Sequence, residues 1–138
     1  MKKRRRVSRE RLVQVLYAVA SQRGDAELPT IEEMREIYPM DGEEDTSFSA
    51  KLFDAVIDNR TSIDGLIEGA SRNWRIERMD FVDLAILRLG VAEIMWMGSP
   101  VPVVINEAVE LAKLYGSEKS RRFVNGVLNK IAETHKEQ

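Results

Sequence analysis

The chain has 138 residues, a formal net charge of −2, one histidine and no cysteine. That length suits one domain, and the missing thiols exclude a disulfide scaffold, thiolate metal ligation and cysteine catalysis while suiting a reducing cytoplasm. The charge is polarised: residues 1–11 carry seven basic groups against Glu10, whereas the remaining 127 residues carry 14 basic and 22 acidic groups, so a localised polyanion contact is expected on an otherwise acidic body.

No apolar run follows the basic arm, so a secretory signal is not expected. From Ser8 to about Arg23, Leu12, Val15, Leu16 and Val19 recur at the spacing of one helix face. Ser8 is the predicted N-cap and Gly24 the predicted stop. Thr30 and Glu33 form a capping-box pattern ahead of Met34 and Ile37, which predicts a short helix. The acidic, breaker-rich run Pro39–Asp45 reads as a loop. Phe48, Leu52, Val56, Ile63, Leu66 and Ala70 then keep one amphipathic rhythm, predicting a single long helix with Asn59 as a polar interruption.

The rhythm slips around Asn73-Trp74-Arg75, into a short helix or turn. Asp80 to Trp96 is apolar on nearly every side, as in a helix buried on most of its surface. Its charges Asp83, Arg88 and Glu93 argue against a membrane span. Gly98-Ser99-Pro100 ends it, and Pro102 stands where a first helical position belongs. That helix runs to Tyr115, closed by Gly116, and Ser117 caps the next. In the last helix Phe123, Val124, Val127, Leu128 and Ile131 form one stripe, with Gly126 allowing close approach. No segment alternates with period two. The fold class is all-α, with six to seven helices.

Little supports catalysis. His135 lies in the polar tail, the glycines are isolated, and the carboxylate pairs Glu32/Glu33 and Glu43/Glu44 read as solvated surface. No cofactor or metal ion is expected. Asn106 and Glu107 interrupt an apolar helix and read as a structural hydrogen-bond network with Arg88 or Glu93. Asn125 reads as a packing and capping element.

The functional signal is cationic. Arg4, Arg5, Arg6 and Arg9 offer the charge and planar donors that phosphates take. Tyr17 lies eight residues beyond Arg9, about 80° around the helix, at the edge of the same face, where a ring could stack on an unpaired base. The competing readings are a solubility tail for the arm and a core or rim aromatic for Tyr17. A second cluster, Lys119, Arg121 and Arg122, occupies the first turns of the last helix, where the dipole also favours an anion. A plain solvated face is the alternative there.

Four blocks carry a family resemblance: Arg4-Arg5-Arg6…Arg9-Glu10 with Gln14-Val15-Leu16-Tyr17; Ala85-Ile86-Leu87-Arg88-Leu89 with Glu93; Val101-Pro102…Val104 to Lys113; and Phe123-Val124-Asn125-Gly126-Val127-Leu128-Asn129-Lys130. Together they resemble the NusB family of bacterial transcription antitermination factors over nearly the whole chain, with a weak match from about Gly24 to Thr46.

The resemblance implies one NusB-like domain over residues 1–138, built of an N-terminal helical bundle over about 1–70 and a C-terminal one over about 72–138. It implies binding to boxA RNA of ribosomal RNA leaders together with NusE, a small-subunit ribosomal protein. RNA polymerase and other Nus factors are implied as indirect partners. It carries over Arg4, Arg5, Arg6, Arg9, Tyr17, Lys119, Arg122 and Phe123 as RNA-binding candidates, and Arg121 is added on charge alone. An acidic residue is common in the family where Lys119 stands.

Glu77, Asp80 and Asp83 lie where the resemblance places the NusE contact, and an acidic group suits a basic ribosomal protein. Capping of the helix that follows is the competing reading. Apolar surface kept for NusE is also the surface through which a homodimer would form. The alternatives to an RNA-binding factor are a helical adaptor whose arm is incidental, and the NusB-like domain of an RNA methyltransferase, which would need a cofactor-binding domain that this sequence lacks.

Overall fold

A basic residue at each of the first helical positions leaves the N-terminus without an acidic or hydroxyl cap, yet the chain is helical from there on. The computed structural model describes residues 3–21, 30–40, 42–72 and 74–135, and α1 runs from Arg4 to Ser21. Lys2, Gly24 and Asn73 lie outside the described residues. Ser8 is not the N-cap. It is buried inside α1, where its Oγ donates to Asp45 O at 3.0 Å and accepts from the Asp45 N–H at 2.9 Å. Straight-chain arginines favour helix enough to extend α1 ahead of the predicted cap.

Leu12, Val15, Leu16 and Val19 are buried as their spacing predicts, each side chain of this kind stabilising the fold by roughly 1.5–3 kcal/mol. In α2 (Ile31–Ile37) Thr30 is the N-cap and accepts from the Glu33 N–H at 3.1 Å. The predicted long helix is two: α3 (Thr46–Asp58) and α4 (Arg60–Ala70). Asn59 breaks it at φ −118°, ψ 19°, and its Nδ2 donates to Ala55 O at 2.8 Å. That side chain takes over the carbonyl that a continuous helix would offer to the Asn59 backbone.

A 3-10 turn at Ile76–Arg78 leads to α5 (Phe81–Ala92), in which Leu84 to Ala92 are all buried. A π-helical turn, Glu93–Met97, follows, and Gly98 at φ +66° reverses the chain into α6 (Val101–Tyr115). Gly116 ends α6 in extended backbone, not in the left-handed form usual for a closing glycine. A Cβ at Gly116 would lie 2.7 Å from Ser120 Oγ, so the residue is small because α7 starts against it. In α7 (Glu118–His135) Ser117 Oγ accepts from the Ser120 N–H at 3.2 Å, as its capping role requires.

α5 is the central element, packed against α1, α3, α4, α6 and α7. One apolar cluster runs through Leu12, Leu52, Ile63, Ile86, Leu87 and Leu128. The close approach expected at Gly126 occurs at Gly90: a Cβ there would stand 2.8 Å from Leu128 Cδ1, while Gly126 faces open space.

Candidate nucleic-acid interface

The arm is built on α1, and most of its charge is answered inside the protein. Arg6 holds Glu107 of α6 through Nε and Nη2, both at 3.0 Å. The hydrogen bonds and charge of Glu107 raise the Arg6 pKa further. Arg9 holds Glu93 through two bonds of 2.7 Å, with its side chain only 7% exposed, and Glu93 also accepts from Ser99 Oγ at 3.1 Å. Arg9 therefore faces the interior and ties α1 to the π turn. Arg4 is exposed and donates to Glu44 O at 3.2 Å. Arg5 stands 3.8 Å from Asp45 and 4.8 Å over the Phe48 ring. Arg4 and Arg5 are thus the most available cations of α1.

The acidic loop is less solvated than its composition suggests. Glu44 is ordered against Arg35 at 3.0 and 3.1 Å, Ser49 Oγ at 2.9 Å and Arg11 Nε at 3.3 Å. Burial alone would raise its pKa, but the bonds from Arg35, Ser49 and Arg11 outweigh burial and lower it. The polar network of α6 also has partners other than those expected. Glu107 takes Arg6, Arg88 takes Asp64 of α4 at 2.9 Å, Glu93 takes Arg9, and Asn106 is exposed. Asn125 is exposed too, accepting from Asn129.

Tyr17 is 43% exposed and meets Phe81 edge-on, with ring centroids 6.1 Å apart. It does not share a face with Arg9, which points inward. Its ring opens into a groove of about 760 Å³ with Val13, Gln14, Tyr38 and Tyr115. Phe123 is half-buried against the core and meets Trp74 at 6.5 Å. It lines a different groove, of about 460 Å³, with Lys119 and Asp83. The two rings line separate grooves. Trp74, Tyr38 and Tyr115 are exposed rings that the sequence did not single out; turn and helix-end aromatics have no periodic signal.

The cations of α7 are divided. Glu118, in the first turn, stands 3.8 Å from Arg121 and 3.6 Å from Arg122, so the helix start is not purely basic. Lys119 opens toward Asp80 and Asp83. Asp80 caps α5, accepting from the Val82 N–H at 2.8 Å, as the competing reading has it. Glu77 is exposed in the 3-10 turn. Asp83 is half-buried, with Oδ1 enclosed and without a hydrogen-bond partner. Burial raises its pKa and the charge of Asp80 adds to that, with Ser120 working the other way.

Among the described residues no helix is long and apolar enough to cross a membrane, and no cluster of metal-ligating side chains is present. The comparisons with known proteins agree on one family. The model of the NusB family matches residues 6–133. A transcription antitermination protein NusB of Anaeromyxobacter dehalogenans is 44% identical over 134 residues, covering 96% of this chain and 92% of the relative. That of Bacillus mycoides is 40% identical, covering 95% and 98%. Among solved structures, T. maritima NusB superposes with a TM-score of 0.80 at 30% identity over 98% of this chain and 94% of that one. NusB from a complex of the antitermination factors NusB and NusE with double-stranded RNA superposes with a TM-score of 0.81 at 31% identity, covering 98% and 100%.

The fold and these likenesses define an all-helical transcription factor rather than an enzyme. The chain belongs to the NusB family of transcription antitermination factors.

Proposed function

We propose that this protein binds the boxA element of ribosomal RNA leaders together with NusE, and that the resulting complex helps RNA polymerase, with other Nus factors, to resist termination. It acts in the cytoplasm. The observation that carries the reading is the surface of α1: Arg4 and Arg5 are exposed on the helix that also presents Tyr17. The full-length similarity to a NusB found with NusE and RNA supports it. Cations supply the sequence-independent part of RNA affinity, and an exposed ring supplies stacking worth roughly 1–3 kcal/mol per base.

In this reading Arg6 contributes to the RNA surface from the end of its bond to Glu107, and Arg9 supports the surface from beneath. NusE docks on the acidic group Glu77, Asp80 and Asp83, where Glu77 and Asp80 are exposed to a basic partner. The test is the salt dependence of binding to single-stranded boxA RNA. Replacing Arg4 and Arg5 together with Ala should lower the slope of log affinity against log salt by about 0.7 for each lost phosphate contact. Tyr17→Ala should weaken binding with little change in melting temperature. An unchanged slope in the double variant would remove α1 from the interface.

A further inference from the structure

We propose that the groove between α6 and α7 is a phosphate-binding site for RNA, in which Lys113 is a contact residue alongside Arg121 and Arg122, and from which Lys119 is excluded. The inference rests on the RNA-binding reading above and adds a site to it.

The α7 cations face two different grooves. Lys119 opens into the groove that contains Asp80 and Asp83, where a phosphate would meet two carboxylates. Arg121 and Arg122 open instead into the α6–α7 groove, where Lys113 joins them from the last turn of α6. Three cations there face one carboxylate lining the groove, that of Glu118. The groove holds about 390 Å³, within the usual size of a small-ligand site and enough for a phosphodiester with its sugar. Asn125 also lines it, and because Asn125 Oδ1 accepts from Asn129 Nδ2 at 3.0 Å, its own NH₂ is left to donate.

These cations are also easy to release. Lys113 pairs with Glu110 at 3.2 Å, and Arg121 and Arg122 with Glu118 at 3.8 and 3.6 Å, all between exposed groups. Exposed pairs of this kind are weak because water screens them, so exchanging a carboxylate for a phosphate costs little. Arg6 and Arg9 differ, since each is held by two short bonds to a buried or nearly buried carboxylate. Lys113 further lines the α1–α6 groove beside Arg6, so it connects the cations of α1 with those of α7. Glu10, Glu107 and Glu110 stand in that connecting groove and repel phosphate, which confines contact to Lys113 itself.

The experiment measures the affinity of the full chain for single-stranded boxA RNA, and for a scrambled RNA of equal length, across a range of salt. Lys113→Ala should lower the salt slope by about 0.7 and weaken both RNAs by the same factor, because a phosphate contact carries no sequence information. Lys113→Arg should keep the slope, and Lys119→Ala should leave it unchanged. The melting temperature of Lys113→Ala should match the parent. An unchanged slope in Lys113→Ala alongside a reduced slope in Lys119→Ala would overturn the assignment. A slope that falls for Arg4→Ala and Arg5→Ala but not for Lys113→Ala or Arg122→Ala would overturn the groove and leave the RNA-binding reading intact. If neither the α1 nor the groove variants change the slope, the RNA-binding reading itself fails.

Discussion

Arg6 on α1 and Glu107 on α6, 101 positions apart in the chain, meet through two hydrogen bonds of 3.0 Å. Glu107 is only 13% exposed, so a phosphate that draws Arg6 away leaves a carboxylate poorly hydrated and uncompensated. The pair is a counterweight within the proposed RNA surface: in binding phosphate, Arg6 would exchange one anion for another and gain little.

Glu107→Gln should therefore tighten RNA binding and steepen the salt slope by up to about 0.7, since Arg6 would then engage phosphate as an unmatched cation. Fluorescence anisotropy with a labelled RNA at several salt concentrations measures both quantities. Weaker binding in the variant would mean that Glu107 orients Arg6 for the RNA.

Arg9 and Glu93 should behave as a stability element. Removing one partner of a buried ion pair strands the other, at a cost of roughly 3–5 kcal/mol. Arg9→Ala should show a loss of that order in urea unfolding, with no change in the salt slope of RNA binding beyond what unfolding explains. A mild loss of stability with a reduced slope would return Arg9 to the interface.

The two α-helical glycines of the C-terminal half should respond oppositely to alanine. At Gly90 the new Cβ would press on the buried Leu128, and overpacking of this kind costs about 1–3 kcal/mol. At Gly126 it would meet open space, and relief of glycine's backbone entropy should add about 0.5–1 kcal/mol. Thermal melting of the two variants checks the pair.

The carboxylates Asp83 and Glu44 give stability opposite pH dependences. Burial raises the folded pKa of Asp83, so its ionisation opposes folding at neutral pH and the penalty fades as acid protonates it. Asp83→Asn should raise the melting temperature at pH 7, and the gain should vanish below about pH 4, the usual carboxylate value. The folded pKa of Glu44 is lowered. Its contribution is present above the unfolded value and is lost as the pH falls through the folded one. Glu44→Gln should accordingly destabilise at pH 7 and converge on the parent in acid.

The helical architecture was legible because apolar residues recur at fixed spacing, and Leu12, Val15, Leu16 and Val19 are buried as that spacing requires. The break at Asn59 was not, since the apolar rhythm continues on both sides while the asparagine side chain takes the Ala55 carbonyl. Ser8 looked like a cap because a hydroxyl before an apolar run resembles one; its partner, Asp45, lies 37 positions away. The candidate site suffered for the same reason. A count of arginines does not show that Arg6 and Arg9 answer carboxylates on α6 and the π turn. Lys113 carries no local signal, and becomes a candidate only when α6 packs on α7.

The most direct measurement is a gel shift of the full chain with boxA RNA and with a scrambled RNA, each in the absence and presence of NusE. A specific shift with boxA that NusE strengthens is expected, weakened by replacing Arg4 and Arg5 and by charge reversal at Asp83 in the presence of NusE. Equal binding of both RNAs with no effect of NusE would contradict it.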